Sequence, residues 1–378
     1  MKDEKNLTPE EEYEKFLEET LDETDKKCPA CGGTMDFDPK TWKLLCAYCG
    51  ATVEIEKDLP DRAEELDFSE AENKASRDWG MEKRIIICES CGAETVYDAS
   101  TVSGECPYCG SNQVMESGDE STMAPGGVCP FQIPEEDAKG RFSAWIKKKL
   151  FCPSDVKKTA KAGKMRGIYL PYWTFDTETH STYTARYGKT RTVRRGKETK
   201  TVTDWYHTSG RYRKFINDEL ICATNKHDSG MLSGIEPFNT EKNVVYKPEY
   251  MAGFASERYS VGLSDAWKNA QSEIHRELER DIDTKIRREH FADRVSGLHV
   301  KTSYHDIKYK YLMLPVWMST FKYKNKLYHF MVNGQTGKVS GKTPISPIRV
   351  AIAIFLGIVA VGLLAALLMA GEGEILYY

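Results

Sequence analysis

Eight of the eleven cysteines fall into two quartets of one pattern. Cys28, Cys31, Cys46 and Cys49 form CPACG…CAYCG, and Cys88, Cys91, Cys106 and Cys109 form CESCG…CPYCG. Each cysteine of the second set follows its counterpart by 60 residues, and fourteen residues separate the two knuckles within each set. A unit repeated with its gaps intact argues against chance. Thiolates at Cys-x-x-Cys spacing deliver two ligands from one tight turn, and two such knuckles complete the tetrahedron that Zn²⁺ prefers. Glycine follows the second cysteine of every knuckle (Gly32, Gly50, Gly92, Gly110), where a positive φ lets the backbone amides fold back toward sulfur. Rubredoxin-like iron uses the same ligand set. Thioredoxin-type exchange needs one knuckle in a βαβ setting and fits two paired knuckles poorly. A site closed by four protein ligands has no open position for catalysis, so two structural Zn²⁺ sites are expected. Their binding energy, on the order of 10 kcal/mol per isolated module, serves folding.

The knuckles need strands to hold them. Fourteen residues suffice for a strand, a turn and a returning strand. Trp42, Leu44 and Leu45 lead into Cys46, and Ile85, Ile86 and Ile87 lead into Cys88, all strand-like runs. Segments 28–50 and 85–111 thus resemble zinc ribbons of the kind found in transcription factor IIB. An acidic segment, 1–27, precedes the first. A polar connector, 51–84, helical in part, separates the two. Residues 112–128, with linker composition, follow the second. Cys129, Cys152 and Cys222 stand singly, without ligand spacing, and are expected as buried free thiols.

The expected fold class is α+β: two tandem small β ribbons, a larger α+β domain over 129–342, and one C-terminal transmembrane helix. Within the larger domain, YLPYW at 169–173 and MLPVW at 313–317 repeat Leu-Pro-x-Trp, each followed by alternating strand-type sequence, which suggests two related β halves. Lys324-Asn325-Lys326 and Asn333-Gly334 mark turns. Pro134 followed by Glu135, Glu136 and Asp137 starts a helix whose Phe142, Trp145, Ile146 and Leu150 keep helical spacing, and Pro153 stops it. A longer helix is expected with Ser264 as N-cap and Ala270, Ile274, Leu278, Ile282 and Ile286 along one face.

Charge is split along the chain. Residues 1–127 carry 31 acidic and 13 basic side chains, a net of −18; residues 128–378 carry 26 and 40, a net of +14. Such asymmetry implies surfaces with different tasks, or two halves that attract each other. Val350 to Ala370 contains no charge and holds twelve Val, Ile, Leu or Phe residues. As a helix it spans about 31 Å, enough for a hydrocarbon core. Lys338, Lys342 and Arg349 precede it and Glu372 and Glu374 follow, so the positive flank is expected to stay cytoplasmic. The first twenty residues are acidic and contain no apolar run, so no secretory signal is expected there. The expectation is a tail-anchored, single-pass protein of the cell membrane, with the bulk of the chain cytoplasmic and 371–378 on the far side.

No Walker A loop is present: Gly337 to Thr343 has one residue too few between its glycines. The eight histidines form neither an HExxH nor a nucleophile constellation, and no enzyme is expected. Ten bases and one acid lie between Lys139 and Arg166, and a second basic run covers Arg186 to Lys214 with aromatics interleaved. These runs suit anionic lipid, nucleic acid or plain solvation. The membrane tether favours lipid, and the acidic ribbon region disfavours DNA. That region suits a basic protein partner.

The paired knuckles, YLPYW, MLPVW, the closing LYHFMVNGQTGKVSG and the apolar span together resemble bacterial TFIIB-type zinc-ribbon membrane proteins. Members are often labelled as similar to the primosomal replication helicase, although the motor motifs are missing from this chain. The resemblance implies a membrane recruiter of the phage-shock type of envelope-stress response. The expected function is a non-enzymatic adaptor whose ribbons bring a cytosolic protein partner to the membrane. The alternative is a membrane-associated nucleic-acid-binding protein without motor activity.

Overall fold

The computed structural model describes residues 27–56, 61–71, 83–88, 94–98, 114–117, 123–159, 165–195, 198–324 and 326–373. Residues 1–26, most of the second quartet (Cys91, Cys106 and Cys109) and the end of the tail lie outside them. The class is α+β, with much strand, few helices and one apolar helix at the C-terminus.

A small antiparallel sheet, β1 (Met35–Asp38), β2 (Lys43–Cys46) and β3 (Thr52–Glu54), carries the first knuckles. The remaining strands join one large sheet. β4 (Leu66–Asp67) pairs there, and β5 (Lys83–Cys88), β6 (Glu94–Asp98) and β7 (Val114–Ser117) form one end of it. β8 (Gly127–Val128) is followed by helices α1 (Glu135–Lys148) and α2 (Ser154–Thr159). Next come β9 (Arg166–Arg195), β10 (Glu198–Cys222), α3 (Ser229–Ile235), β11 (Val244–Val245), β12 (Ala255–Glu257) and α4 (Leu263–His290). The chain closes with β13 (Arg294–Tyr323), β14 (Lys326–Asn333), β15 (Val339–Gly341) and α5 (Pro347–Gly373). The sheet runs β11-β8-β13-β9-β12-β6-β5-β7, with β10 on β9, β14 on β13, β15 on β14 and β4 on β13.

The two Leu-Pro-x-Trp segments lie side by side. Leu170 pairs with Leu314 across the antiparallel β9–β13 ladder, and Pro171 pairs with Met313. The Ala223 N–H donates to the Pro171 carbonyl at 2.9 Å, as the Gly334 N–H donates to that of Pro315 at 2.8 Å. Both tryptophans bury an indole whose N–H finds a carbonyl, Trp173 on Val261 (2.9 Å) and Trp317 on Ile133 (2.8 Å). Around them Tyr169, Phe131, Phe175 and Tyr309 are at most 1% exposed.

Beyond this body β9, β10 and β13 continue together as an arm. From Thr177 to Arg195 it runs about 60 Å at the usual strand rise. The arm departs where bulges interrupt β10 between Ile216 and Glu219 and β13 between His305 and Lys308. Asp218 and Asp306 there take positive φ, +52° and +49°. Helix α4 lines both parts. Ala270, Ile274 and Leu278 join the main core, while Ile282 and Ile286 meet Tyr183 and Ala185 of the arm. All five expected face residues are fully buried. The helix begins earlier than expected: Gly262 is its N-cap, its carbonyl accepting from the Ala266 N–H, and Ser264 sits inside the first turn.

Two segments expected between domains are bound into this sheet. Within the connector, β4 pairs with β13, and Phe68 tucks its ring 5.9 Å from Trp267 and 6.4 Å from Phe175. Among the described residues of 51–84, a 3₁₀ turn, Phe68–Glu70, runs directly into α-helical backbone at Ala71. At the end of 112–128, Ala124, Gly127 and Val128 are buried and β8 pairs with both β11 and β13.

Candidate metal centre

The first quartet comes together. The Cys28 and Cys49 Sγ atoms are 3.4 Å apart, those of Cys31 and Cys46 are 3.6 Å apart, and all four lie within 4.8 Å of one another. Zn–S bonds of about 2.3 Å in a tetrahedron place sulfurs about 3.8 Å apart, so the quartet fits the ion with little adjustment.

Local sequence builds this geometry. In the first knuckle the Gly32 N–H donates to the Cys28 carbonyl (2.8 Å); in the second the Gly50 N–H donates to that of Cys46 (3.0 Å). Gly32 and Gly50 make these turns at φ +72° and +74°, values an L side chain would strain. Between the knuckles β1 and β2 are joined by a turn that Asp38 organises. Its carboxylate accepts from the Lys40 and Thr41 amides, both at 3.2 Å, and from the Thr41 hydroxyl at 2.7 Å.

Cys28 and Cys46 are buried, whereas Cys31 and Cys49 face outward. Amides aimed at sulfur favour thiolate. The Cys49 amide is the chief cause holding Cys46 down to about 7. The Ala51 amide also lowers Cys49, but hydrogen bonds with Cys28 and Cys31 outweigh it and raise that thiol to about 12. Four adjacent sulfurs cannot all ionise unaided; a divalent cation among them would replace the shared protons.

The module is seated on the body. The Phe37 N–H donates to the Ala252 carbonyl (3.1 Å), and the Phe37 ring meets Tyr250 edge-on at 5.8 Å. The Lys247 ammonium donates to the Glu56 carbonyl at 2.8 Å. Gly253, at φ +81°, leaves room for Asp36: a Cβ there would stand 2.7 Å from its carboxylate. A cleft of about 260 Å³ remains between the module and the body, lined by Trp42, Glu56, Arg62, Lys242 and Tyr250 among others. Tyr48, in the second knuckle, is 78% exposed.

Of the second quartet, Cys88 closes β5; Cys91, Cys106 and Cys109 lie outside the described residues. The three single cysteines are free thiols. Cys129 and Cys152 are buried, while Cys222 is half-buried, a partial departure from the expectation. Burial raises Cys129 to about 12.

Two polar clusters had no signal in the sequence. Lys310, buried, lies 2.7 Å from Asp218, 3.3 Å from Glu65 and 3.8 Å from Asp176. His227 meets Glu257 at 2.7 Å, and the Thr224 hydroxyl donates to the other oxygen of the same carboxylate. In each the partners are separated by tens to hundreds of residues, so only the fold unites them. His227 pairs with Glu257 rather than with its neighbour Asp228, which caps α3.

Helix α5 is long and apolar enough to cross a membrane, and its window Pro347–Leu364 is not buried against the body. Its base is fastened. The Ser346 N–H donates to the Phe151 carbonyl and Arg349 Nη1 to that of Leu150, both at 2.8 Å.

No protein-family model matches this chain, and no solved structure matches it. It is 28% identical over 328 residues to the uncharacterized protein YdjG of Bacillus subtilis (strain 168). That match spans 86% of this chain and 91% of the relative.

Proposed function

We propose that the protein is a non-enzymatic membrane adaptor. Structural Zn²⁺ holds its ribbons, α5 anchors it in the cell membrane with the bulk of the chain cytoplasmic, and the ribbon region recruits a protein partner. The observation that carries this reading is the exposed Tyr48, displayed on a four-cysteine module that is itself fixed to the body. A rigid exposed aromatic makes a good interface anchor, because little side-chain entropy is lost on binding. The net −18 over 1–127 favours a basic partner surface. In this reading Cys88, Cys91, Cys106 and Cys109 hold the second zinc. The β9–β10 and β13–β14 hairpins are then copies of one unit, a view supported by the matched Pro171/Ala223 and Pro315/Gly334 bonds. An envelope-stress setting rests on the family resemblance.

The test is crosslinking and pulldown from detergent-solubilised membranes. Tyr48→Ala should weaken capture of a basic protein at least about tenfold while zinc content is unchanged. Capture equal to that of the unaltered chain would refute recruitment through this face.

A second reading has one observation in its favour. The arm carries Trp205 (43% exposed) and Tyr206 (47%) among the basic residues of β9 and β10, as a single-strand binder would. It requires salt-sensitive RNA or DNA binding that Arg194→Glu with Arg195→Glu abolishes.

A further inference from the structure

The elbow between α1 and α2 displays apolar side chains in an unusual place. Leu150 is 77% exposed and Phe151 44%, although the neighbouring Ile146, Cys152 and Val156 are buried at 1%. The elbow is therefore well anchored, and its two large apolar side chains are presented rather than left over. Ile345 and Ile348, 68% and 72% exposed, flank the Ser346 and Arg349 bonds that tie the elbow to the base of α5. Arg349 makes a further bond to Ser154 at the start of α2. An apolar cluster thus sits within about one helical turn of the point where the apolar helix leaves the body.

Its charge is equally one-sided. Lys147, Lys148 and Lys149 precede the elbow and Lys157 and Lys158 follow it, with Asp155 as the single acid of that stretch. Asp155 accepts from the Tyr323 hydroxyl at 3.0 Å, which brings the β13–β14 turn and its exposed Lys324 alongside. Long ammonium side chains around an apolar tip are what an anionic leaflet accommodates: stems lie in the headgroup layer while charges meet phosphate.

We infer that this elbow is a second membrane contact, with Leu150 and Phe151 seated at the acyl boundary and the lysines on anionic lipid headgroups. The inference rests on α5 being the span. Continuity with α5 favours a leaflet over a protein as the occupant, since any partner here would have to share the space with headgroups. The body would then stand on two feet, and its tilt over the membrane would be fixed.

Hydrogen exchange on the full-length chain in nanodiscs tests this. One nanodisc is pure phosphatidylcholine and the other about one-third phosphatidylglycerol. Exchange in the peptide over 147–153 should slow about tenfold in the anionic disc relative to the neutral one. Leu150→Glu with Phe151→Glu should remove that protection. Lys147→Gln with Lys148→Gln, both exposed and harmless to the core, should reduce it while exchange across β9 and β13 is unchanged. Equal exchange in both discs overturns the inference, as does protection that survives both variants. Protection over α5 reports the span separately. A protected α5 beside an unprotected elbow sinks this inference alone, and an unprotected α5 sinks the membrane reading beneath it.

Discussion

Replacing Cys46 by serine tests whether metal or packing holds the first ribbon. Apart from its cysteines, the module buries Met35 and Leu44 in its own core, with Val53 and Ile55 partly buried against them and Ala252 of the body closing it, and buries Phe37 in the core of the body. Burying the three large side chains contributes about 5–9 kcal/mol. A tetrathiolate Zn²⁺ contributes about 10–16 kcal/mol in small isolated modules. The metal term is the larger of the two, so a single lost thiolate should release the module. Zinc measured by mass spectrometry should fall by one ion per chain. Residues 27–56 should become rapidly cleaved by protease, while β9, β13 and α4, which have their own core, resist as before. A Cys46→Ser chain that keeps the zinc content of the unaltered chain and a resistant 27–56 segment would refute the argument. So would an unaltered chain that carries no zinc.

Two further outcomes follow from buried charge. Burial, with Glu277, Glu273 and Glu236 close by, pushes Glu219 up to about 7. The folded chain then holds a proton that the unfolded chain has released, so stability falls as pH rises from about 4.5 to about 7. Glu219→Gln should raise the melting temperature by a few degrees at about pH 8 and leave it unchanged near pH 4.5, as a thermal scan at both values would show. Lys310→Met strands the buried Asp176 and the neighbouring Asp218, and should cost about 3–5 kcal/mol in denaturant titration; a cost under about 1 kcal/mol would show that the cluster is dispensable.

What could be read from the sequence was what repeats locally. The Cys-x-x-Cys spacing located the first four-thiol cluster because ligand geometry is carried within each knuckle. Helix α4 announced its buried face because Ala270 to Ile286 keep helical spacing. Strand length was hidden. β9 and β13 run for 30 residues each, and nothing in an alternating pattern says where pairing with a distant strand ends. The repeat of Leu-Pro-x-Trp was visible, but the direct pairing of Leu170 with Leu314 depends on antiparallel register, which no single strand encodes. The polar composition of 51–84 gave no sign that Leu66 would pair with Tyr309, because a two-residue strand carries no period.

For the adaptor proposed above, that hidden pairing would set how a partner is held. A ribbon on a flexible connector would let a partner wander by the reach of the linker. Here the segment from the first quartet to Ala71 is fixed to the body at successive points: Phe37 on Ala252, Glu56 on Lys247, Glu65 on Lys310, and β4 on β13. Lys310 also binds Asp218 at the bulge where the arm departs, so one buried ammonium ties the exit of the metal module to the bend of the arm. Strand β13, which carries Lys310, continues to Tyr323, whose hydroxyl meets α2 beside the base of α5. Under the proposed function a partner at Tyr48 would stand at a set distance from the base of α5, and loosening the Lys310 cluster should blur that distance while the four-thiol cluster and α5 stay intact.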